Sequence, residues 1–492
     1  MKKKMRNIYK NCMKVVLATA LLLFSSCDFN DINIDPNNPV SVPTSHLMTS
    51  AQRSVAELIF GNSNVIGLAS SATTFIQHWA GTRGGGNDIY TTVELDFSNF
   101  YTGPLADLNE VIRLNSNEAT ALEASQSGVN GNQIAIARIL KVYIFHNITD
   151  IWGEVPYKES LLGKTVALPK YDLQSEIYTD LLKELDEATA QISVGGAAIK
   201  GDIIYNGNMN NWKLFAQSLK MRIGMRMSKV DPVAAQKAVS EAFKTGVFTS
   251  NTQSALYKYL SATSNINPYY YYYNFSAPNI AVSNTLIDKL KALSDPRLFI
   301  YADTAKVGGK GYVGTGFGLD IATANLDRDE EASWPNPQHI LQPTVPFKIL
   351  TYTEVLFLEA EAAERGWIDG DAKAFYDAGI IASLQYWGVD QSAIAAYLTV
   401  PQVVYQKNNP FKSIGEQKWL NFYQEGIEAW SDWRRLGYPE LKDAPQAFAG
   451  RKLPRRRGYP QTEITLNTDN YRIVIARQGP DELSTRVWWD VP

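Results

Sequence analysis

The sequence predicts a mostly helical fold in which paired amphipathic helices stack as a tetratricopeptide-like superhelix behind a loop-rich face with minor β-structure. Three observations predict it. Apolar residues recur at helical spacing through two long stretches, the connections between periodic segments are short, and the interval between the two stretches lacks that period. No full 34-residue tetratricopeptide consensus repeats, so the stacking is read from helix pairing alone.

Taken in order, Thr44 to Phe60 and Phe97 to Leu114 read as helices, and from Ile136 the positions Ile139, Leu140, Tyr143 and Ile144 form one stripe. Asp172 serves as an N-cap for a helix carrying Ile177, Leu181, Leu185, Ala188 and Ile192 on one face. Met209 to Ser228, Pro232 to Lys244 and Asn284 to Leu293 follow. The second block begins near Phe347 and ends at Arg365-Gly366, with Glu361 and Arg365 at i,i+4 spacing and Gly366 as a C-terminal cap. Glu354, Glu359, Glu361 and Glu364 read as its solvated face. Asp371 to Tyr386 comes next. Ser413-Ile414-Gly415-Glu416 is a capping box that opens a helix through Trp419, Tyr423, Ile427 and Trp430. That spacing makes Trp419, Trp430 and Trp433 core residues.

These readings divide the chain into residues 1–26, a tether at 27–42, and one domain at 43–492. The domain has a helical scaffold over about 43–248 and 347–435, a loop-rich insert over about 249–346, and an irregular C-terminal segment, 436–492. The insert holds five consecutive tyrosines, Tyr269 to Tyr273, and a Gly-rich run from Gly308 to Gly318. Irregular structure of that length is usually functional or disordered, and so many aromatics argue against disorder.

The N-terminus explains the tether. A basic stretch ends at Lys14, the ten residues Val15 to Phe24 are almost wholly apolar, and Ser25-Ser26-Cys27 follows. As a helix, ten residues span only about 15 Å, half of a hydrocarbon core, so this is a cleaved signal peptide and not a membrane span. Small residues directly before a cysteine resemble a bacterial lipobox, with Cys27 acylated and anchoring the protein to a membrane; ordinary secretory cleavage beside an incidental cysteine is the alternative. Removing the six basic residues that precede Ser26 leaves 41 basic against 50 acidic residues, a net charge of −9. Such a field gives no hold on nucleic acid. The other cysteine, Cys12, leaves with the signal peptide, so the domain folds without disulfides.

Catalytic motifs are missing. His46, His78, His146 and His339 lack the spacing of a helical zinc pair, so no metal is expected. The Gly-rich run lacks the context of a dinucleotide fingerprint and reads as a flexible loop, so no cofactor is expected. The run Arg451-Lys452-Leu453-Pro454-Arg455-Arg456-Arg457 reads as structural ion pairing. A carboxylate pair of the kind that hydrolyses glycosides stays open as an alternative, because spatial separation is not written in sequence.

Several segments together resemble one family, the SusD/RagB nutrient-binding outer-membrane lipoproteins. They are Asp35 to Pro39 (DPNNP), Asp150 to Tyr157 (DIWGEVPY), Trp212 to Met227, Glu354 to Trp367, and Gln417-Lys418-Trp419 with Trp430 to Arg435. Pro454-Arg455-Arg456 with Tyr459-Pro460, Glu463 and Asn467, and then Val487-Trp488-Trp489, complete the set. The resemblance implies four tetratricopeptide-like helix pairs and a cell-surface location. It also implies a SusC-like TonB-dependent outer-membrane transporter as partner, an oligosaccharide or peptide ligand, and binding without catalysis. Asp28 and Asp31 resemble the acidic export signal of such proteins. Sugar rings stack on flat aromatic faces, which makes Trp79, Tyr90, Tyr269, Tyr270, Tyr271, Tyr272, Tyr273 and Trp334 the candidate ligand-binding residues.

Overall fold

Helix α1, Thr44–Ile59, buries Met48, Ala51, Val55 and Ile59, one apolar stripe at helical period. It belongs to a computed structural model that describes residue 5 and residues 42–61, 67–82, 86–320 and 331–492. Cys27, Gly84 and Gly85 lie outside the described residues. The chain divides into two units, Met1–Pro43 and Thr44–Pro492, and every numbered element belongs to the second.

Helices of eight or more residues follow as α2 (Leu68–Phe75), α3 (Ala106–Ser116), α4 (Asn130–Trp152), α5 (Gln174–Gln191), α6 (Met209–Arg226) and α7 (Pro232–Thr245). The insert carries α8 (Pro268–Phe275) and α9 (Asn284–Ala292). The second block holds α10 (Tyr352–Glu364), α11 (Ala372–Tyr386), α12 (Gln391–Leu398), α13 (Pro410–Asn421) and α14 (Gly426–Leu436), and α15 (Thr468–Gln478) lies near the C-terminus. Sequence neighbours pair: α3 with α4, α4 with α5, α6 with α7, α10 with α11, and α13 with α14. The fold is therefore mostly helical, as the periodicity predicts. Gly224 lets α6 and α7 approach closely, since a Cβ there would sit 3.0 Å from the Ala238 methyl. Among the described residues no helix is long and apolar enough to cross a membrane.

The strands are short and join distant parts of the chain as antiparallel pairs: β1 (Trp79–Gly81) with β5 (Ile280–Val282), β2 (Val155–Pro156) with β3 (Tyr171–Asp172), and β4 (Ala255–Tyr257) with β6 (Phe347–Leu350).

Several boundaries differ from the expectation. Asp172 is not a helix cap: it lies in β3, and its Oδ2 accepts from the Tyr157 and Lys158 amides at 3.0 and 2.9 Å. The second block opens on β6, and α10 starts only at Tyr352, capped by Thr351. Helix α13 begins at Pro410, a residue suited to a first turn, so Ser413 sits inside it and accepts from the Gln406 amide at 3.1 Å. The expected run from Trp419 to Trp430 breaks after Asn421, where α13 ends, and Gln424, with a φ of 72°, lies in the turn before Gly426 starts the next helix. Phe97 to Leu114 is interrupted at Gly103-Pro104, where the proline ring cannot continue a regular helix. The segment 436–492 is not irregular throughout, because it contains α15 and a turn of helix at Gln461–Leu466.

The largest departure concerns charge. Glu354 and Glu361 are fully buried and Glu359 nearly so, because α10 is covered by α6, α11 and α13 together. They are not a solvated face. Arg222 holds Glu354 through Nε and Nη2 at 2.6 and 2.5 Å. Arg226 reaches Asp150 at 3.1 Å, Glu428 at 2.6 Å and Asp432 at 3.1 Å. Arg435 forks onto Glu361 at 2.5 and 2.7 Å and touches Asp432 at 3.0 Å. Lys418 also pairs with Asp432, and Lys348 with Glu425 at 2.6 Å. The C-terminal residues close this interior: Trp489 donates Nε1 to Asp150 at 2.9 Å, and the Arg434 guanidinium lies over its ring at 4.5 Å.

Burial and charge then compete for each carboxyl group. Burial would raise Glu361, but the guanidiniums of Arg435 and Arg365 outweigh it and hold Glu361 at about 2. Asp432 is held low against burial by Lys418, Arg435 and Arg226. For Glu354 burial wins over Arg222, and the group is pushed up to about 7; Glu359, with burial alone acting, rises to about 8.

Candidate functional site

The five tyrosines are helical, not irregular. Asn267 caps α8 by accepting from the Tyr269 and Tyr270 amides at 2.8 and 3.1 Å, and Pro268 occupies the first turn, where a missing N–H costs nothing. The Asn267 amide side chain donates to the Val345 carbonyl at 2.7 Å, fixing α8 against the end of the insert. With successive residues turned by a helical step, the rings separate into inner and outer sets.

Tyr269 faces in, wedged between Phe60 at 4.6 Å and Trp79 at 4.9 Å, centroid to centroid. Tyr270, Tyr271, Tyr272 and Tyr273 are half-buried, and Phe275, at the end of α8, is 62% exposed. Tyr271 and Tyr270 lie 5.3 and 5.9 Å from the Phe275 ring. Tyr272 is oriented by donating to Asn279 Oδ1 at 2.7 Å, and Tyr273 by donating to the Ile280 carbonyl at 2.5 Å. Tyr273 also stands edge-on to Trp334 at 5.7 Å. The Trp334 backbone is held in turn, its carbonyl accepting from the Asp303 amide at 2.8 Å while the Ser333 amide beside it donates to Val313 at 2.7 Å. Ring contacts thus join Tyr272, Tyr273 and Trp334 in one partly exposed aromatic group and Tyr270, Tyr271 and Phe275 in another, both carried by α8.

Trp79, Tyr90 and Tyr269 belong to neither group. All three are fully buried. Trp79 donates Nε1 to Tyr423 Oη at 3.0 Å and sits opposite Val282 in the β1–β5 pair. Tyr90 adopts a φ of 63° and accepts from the Ala444 amide at 3.1 Å. A ring with no exposed face cannot stack on a sugar, so these are core residues. Trp79→Ala should cost about 3–5 kcal/mol of stability, read as a lower denaturant midpoint at unchanged slope.

One aromatic pair was not singled out by the sequence. Phe299, 60% exposed, meets Tyr312 edge-on at 5.6 Å, and Tyr312 borders the Val313–Ser333 contact that carries Trp334. Scattered aromatics in aperiodic sequence give no signal of such pairing.

Other candidate groups are structural. His78 is buried between the Trp419 and Tyr423 rings, at 4.7 and 5.9 Å, and burial pulls it down to about 3. His146 lies 3.4 Å from Asp150, and burial brings it to about 4. No group of three metal-binding side chains occurs among the described residues. In the basic run, Arg455 pairs with Asp490 at 3.1 Å, Arg456 with Asp481 at 2.8 Å, and Arg457 donates to the Thr92 carbonyl at 2.7 Å. Trp419, Trp430 and Trp433 are core, as their spacing predicts.

Residues 36–460 match the SusD-like family model described as starch-binding and associating with the outer membrane. A solved chitin-binding protein is 30% identical, with a TM-score of 0.77 over 91% of this chain and 100% of its own. A SusD homologue from Bacteroides uniformis is 25% identical, with a TM-score of 0.76 over 91% of this chain and 100% of its own. A SusD homologue from Bacteroides fragilis, 24% identical with a TM-score of 0.80 over 92% and 100%, shares the fold. No curated protein matches the sequence. The match over most of its length, on a helical scaffold of the same architecture, shows that this chain belongs to the SusD-like family.

Proposed function

We propose that this protein captures oligosaccharides on the aromatic surface of α8 and Trp334, without chemical turnover, and delivers them to a TonB-dependent outer-membrane transporter. The observation that carries the reading is the run of half-buried tyrosines Tyr270 to Tyr273, with Tyr273 against Trp334 and with Tyr270 and Tyr271 against the exposed Phe275. Rings held by packing and hydrogen bonds lose little rotamer freedom when a flat sugar face settles on them. The chitin-binding relative supports a glycan as ligand. The delivery step and the transporter partner rest on family membership.

Calorimetric titration with chito-oligosaccharides and malto-oligosaccharides tests the ligand. Tyr271→Ala and Trp334→Ala should each weaken binding by about 1 kcal/mol or more, roughly fivefold, with little change in melting temperature for Tyr271→Ala. Unchanged affinity in both variants would move the site elsewhere. Release of reducing ends from a bound oligosaccharide would favour a hydrolase instead.

Anchoring rests on the lipobox at Ser25-Ser26-Cys27. Cys27→Ala should move the protein from the membrane to the soluble fraction or stall its processing, because the acyl chains supply the hold. A mature form still bound to membranes after that change would refute lipidation.

A further inference from the structure

A second cleft lies away from the aromatic surface, between α3, α4, α5 and the chain at 157–162, with a volume of about 370 Å³. Its floor is apolar, formed by Val142, Phe145, Leu161 and Leu162, and Leu162 is 51% exposed with no covering element. The size falls within the range of small-molecule sites.

Among the charges around it, Arg138, Lys158 and Glu184 have ion-pair partners, whereas Asp180 and Lys141 have neutral ones. Arg138 is bonded to Glu184 at 2.8 and 3.0 Å and also pairs with Glu187. Asp180 accepts from the Tyr157 hydroxyl at 2.7 Å, and Lys158 pairs with Glu176 at 2.6 Å. Lys141 has no carboxylate within ion-pair distance among the described residues. Its Nζ donates only to the neutral Asn109 Oδ1, at 3.3 Å. Burial pushes this ammonium below its usual range against the weaker opposing field of Glu184. A lysine has three donors in fixed tetrahedral directions, so most of its capacity here is left for a group entering the cleft.

We propose that this cleft binds a small monocarboxylate with an apolar tail. The carboxylate would take charge-assisted hydrogen bonds from Lys141, and the tail would lie over Phe145, Leu161 and Leu162. Glu184 opposes this arrangement little because Arg138 pairs with it, whereas Asp180 keeps its negative charge, its bond from Tyr157 being to a neutral hydroxyl, so the carboxylate is held by Lys141 against that charge.

The test uses ligand-detected saturation-transfer NMR on the full-length protein, with hexanoate as the probe and 1-hexanol and hexylamine as length-matched controls. Hexanoate should bind at least tenfold more tightly than either control. Lys141→Met, which keeps the unbranched apolar stem, should weaken hexanoate at least tenfold and leave 1-hexanol within twofold, with the melting temperature checking that the variant folds. Four results would overturn the proposal: no transfer to hexanoate, equal affinity for hexanoate and 1-hexanol, tighter binding of hexylamine, or hexanoate affinity unchanged in a folded Lys141→Met protein.

Discussion

Arg226→Ala should destabilise the protein by at least about 3–5 kcal/mol, and expression at 37 °C should yield little folded material. Arg226 is 1% exposed and is the shared partner of Asp150, Glu428 and Asp432. Removing one member of a buried ion cluster leaves charge under-compensated in a low-dielectric interior: Glu428 would keep only Arg222 at 3.6 Å and Asp150 would lose its guanidinium bond, while Asp432 would still have Lys418 and Arg435. Arg226→Lys keeps the charge but cannot reach three acceptors from a single nitrogen at the same positions, so it should recover only part of the loss. Denaturant unfolding checks both variants. An Arg226→Ala midpoint within the scatter of wild type would show that neither the charge nor the fork holds this interior together.

The pH profile of stability should have a plateau between about pH 4.5 and 6.5 and a steep acid limb below it. Glu361, held at about 2, and Asp432, Asp150 and Glu428, all held low, contribute stability that is present above their unfolded values near 4. That stability is lost as pH falls through the folded values. His78 and His146, kept neutral down to about 3 and about 4, act in the same direction over a wider range, since the unfolded chain takes up their protons from about 6.5 downward. Opposing them, Glu354 and Glu359 retain protons in the folded state up to about 7 and about 8. Their contribution is complete below about 4.5 and is lost as pH rises, which offsets the histidines within the plateau and makes a gentler alkaline limb. Denaturant midpoints from pH 2.5 to 9 would trace both limbs. Glu359→Gln should flatten the alkaline limb and leave the acid limb unchanged; an alkaline limb of undiminished slope would assign it to other groups.

The scaffold is legible where a helix buries one face. In α5 and α7 the buried positions fall on a single stripe, and the expected and observed ends agree within two residues, although Asp172 lies in β3 and does not cap α5. Legibility fails where a helix is covered on several sides. The acidic residues of α10 have the appearance of a water-facing row, and the arginines that bury them come from elsewhere in the chain: Arg222 lies 132 residues from Glu354, and Arg435 lies 74 from Glu361. No local period encodes such partners. The aromatic site shows the same division. Asn267-Pro268 is a legible cap and first turn, and read as such it would have turned five tyrosines from a loop into a two-sided helix. Nothing local separates Trp79 from Trp334, because the hydroxyl that receives Trp79 is on Tyr423, 344 positions away.

Trp489 and Asp150 are separated by 339 positions, and the bond between them sets an order of events. At 5–20 residues per second, a ribosome needs on the order of half a minute to travel that distance. Until the segment carrying Trp489 has been made, no rearrangement of the chain can supply the indole that Asp150 accepts from. The helices are therefore made long before the interior they enclose can be sealed. A chain that stops short of Trp489 would carry α1 to α15 and still lack the indole that bonds Asp150, so its interior would be left open at that point.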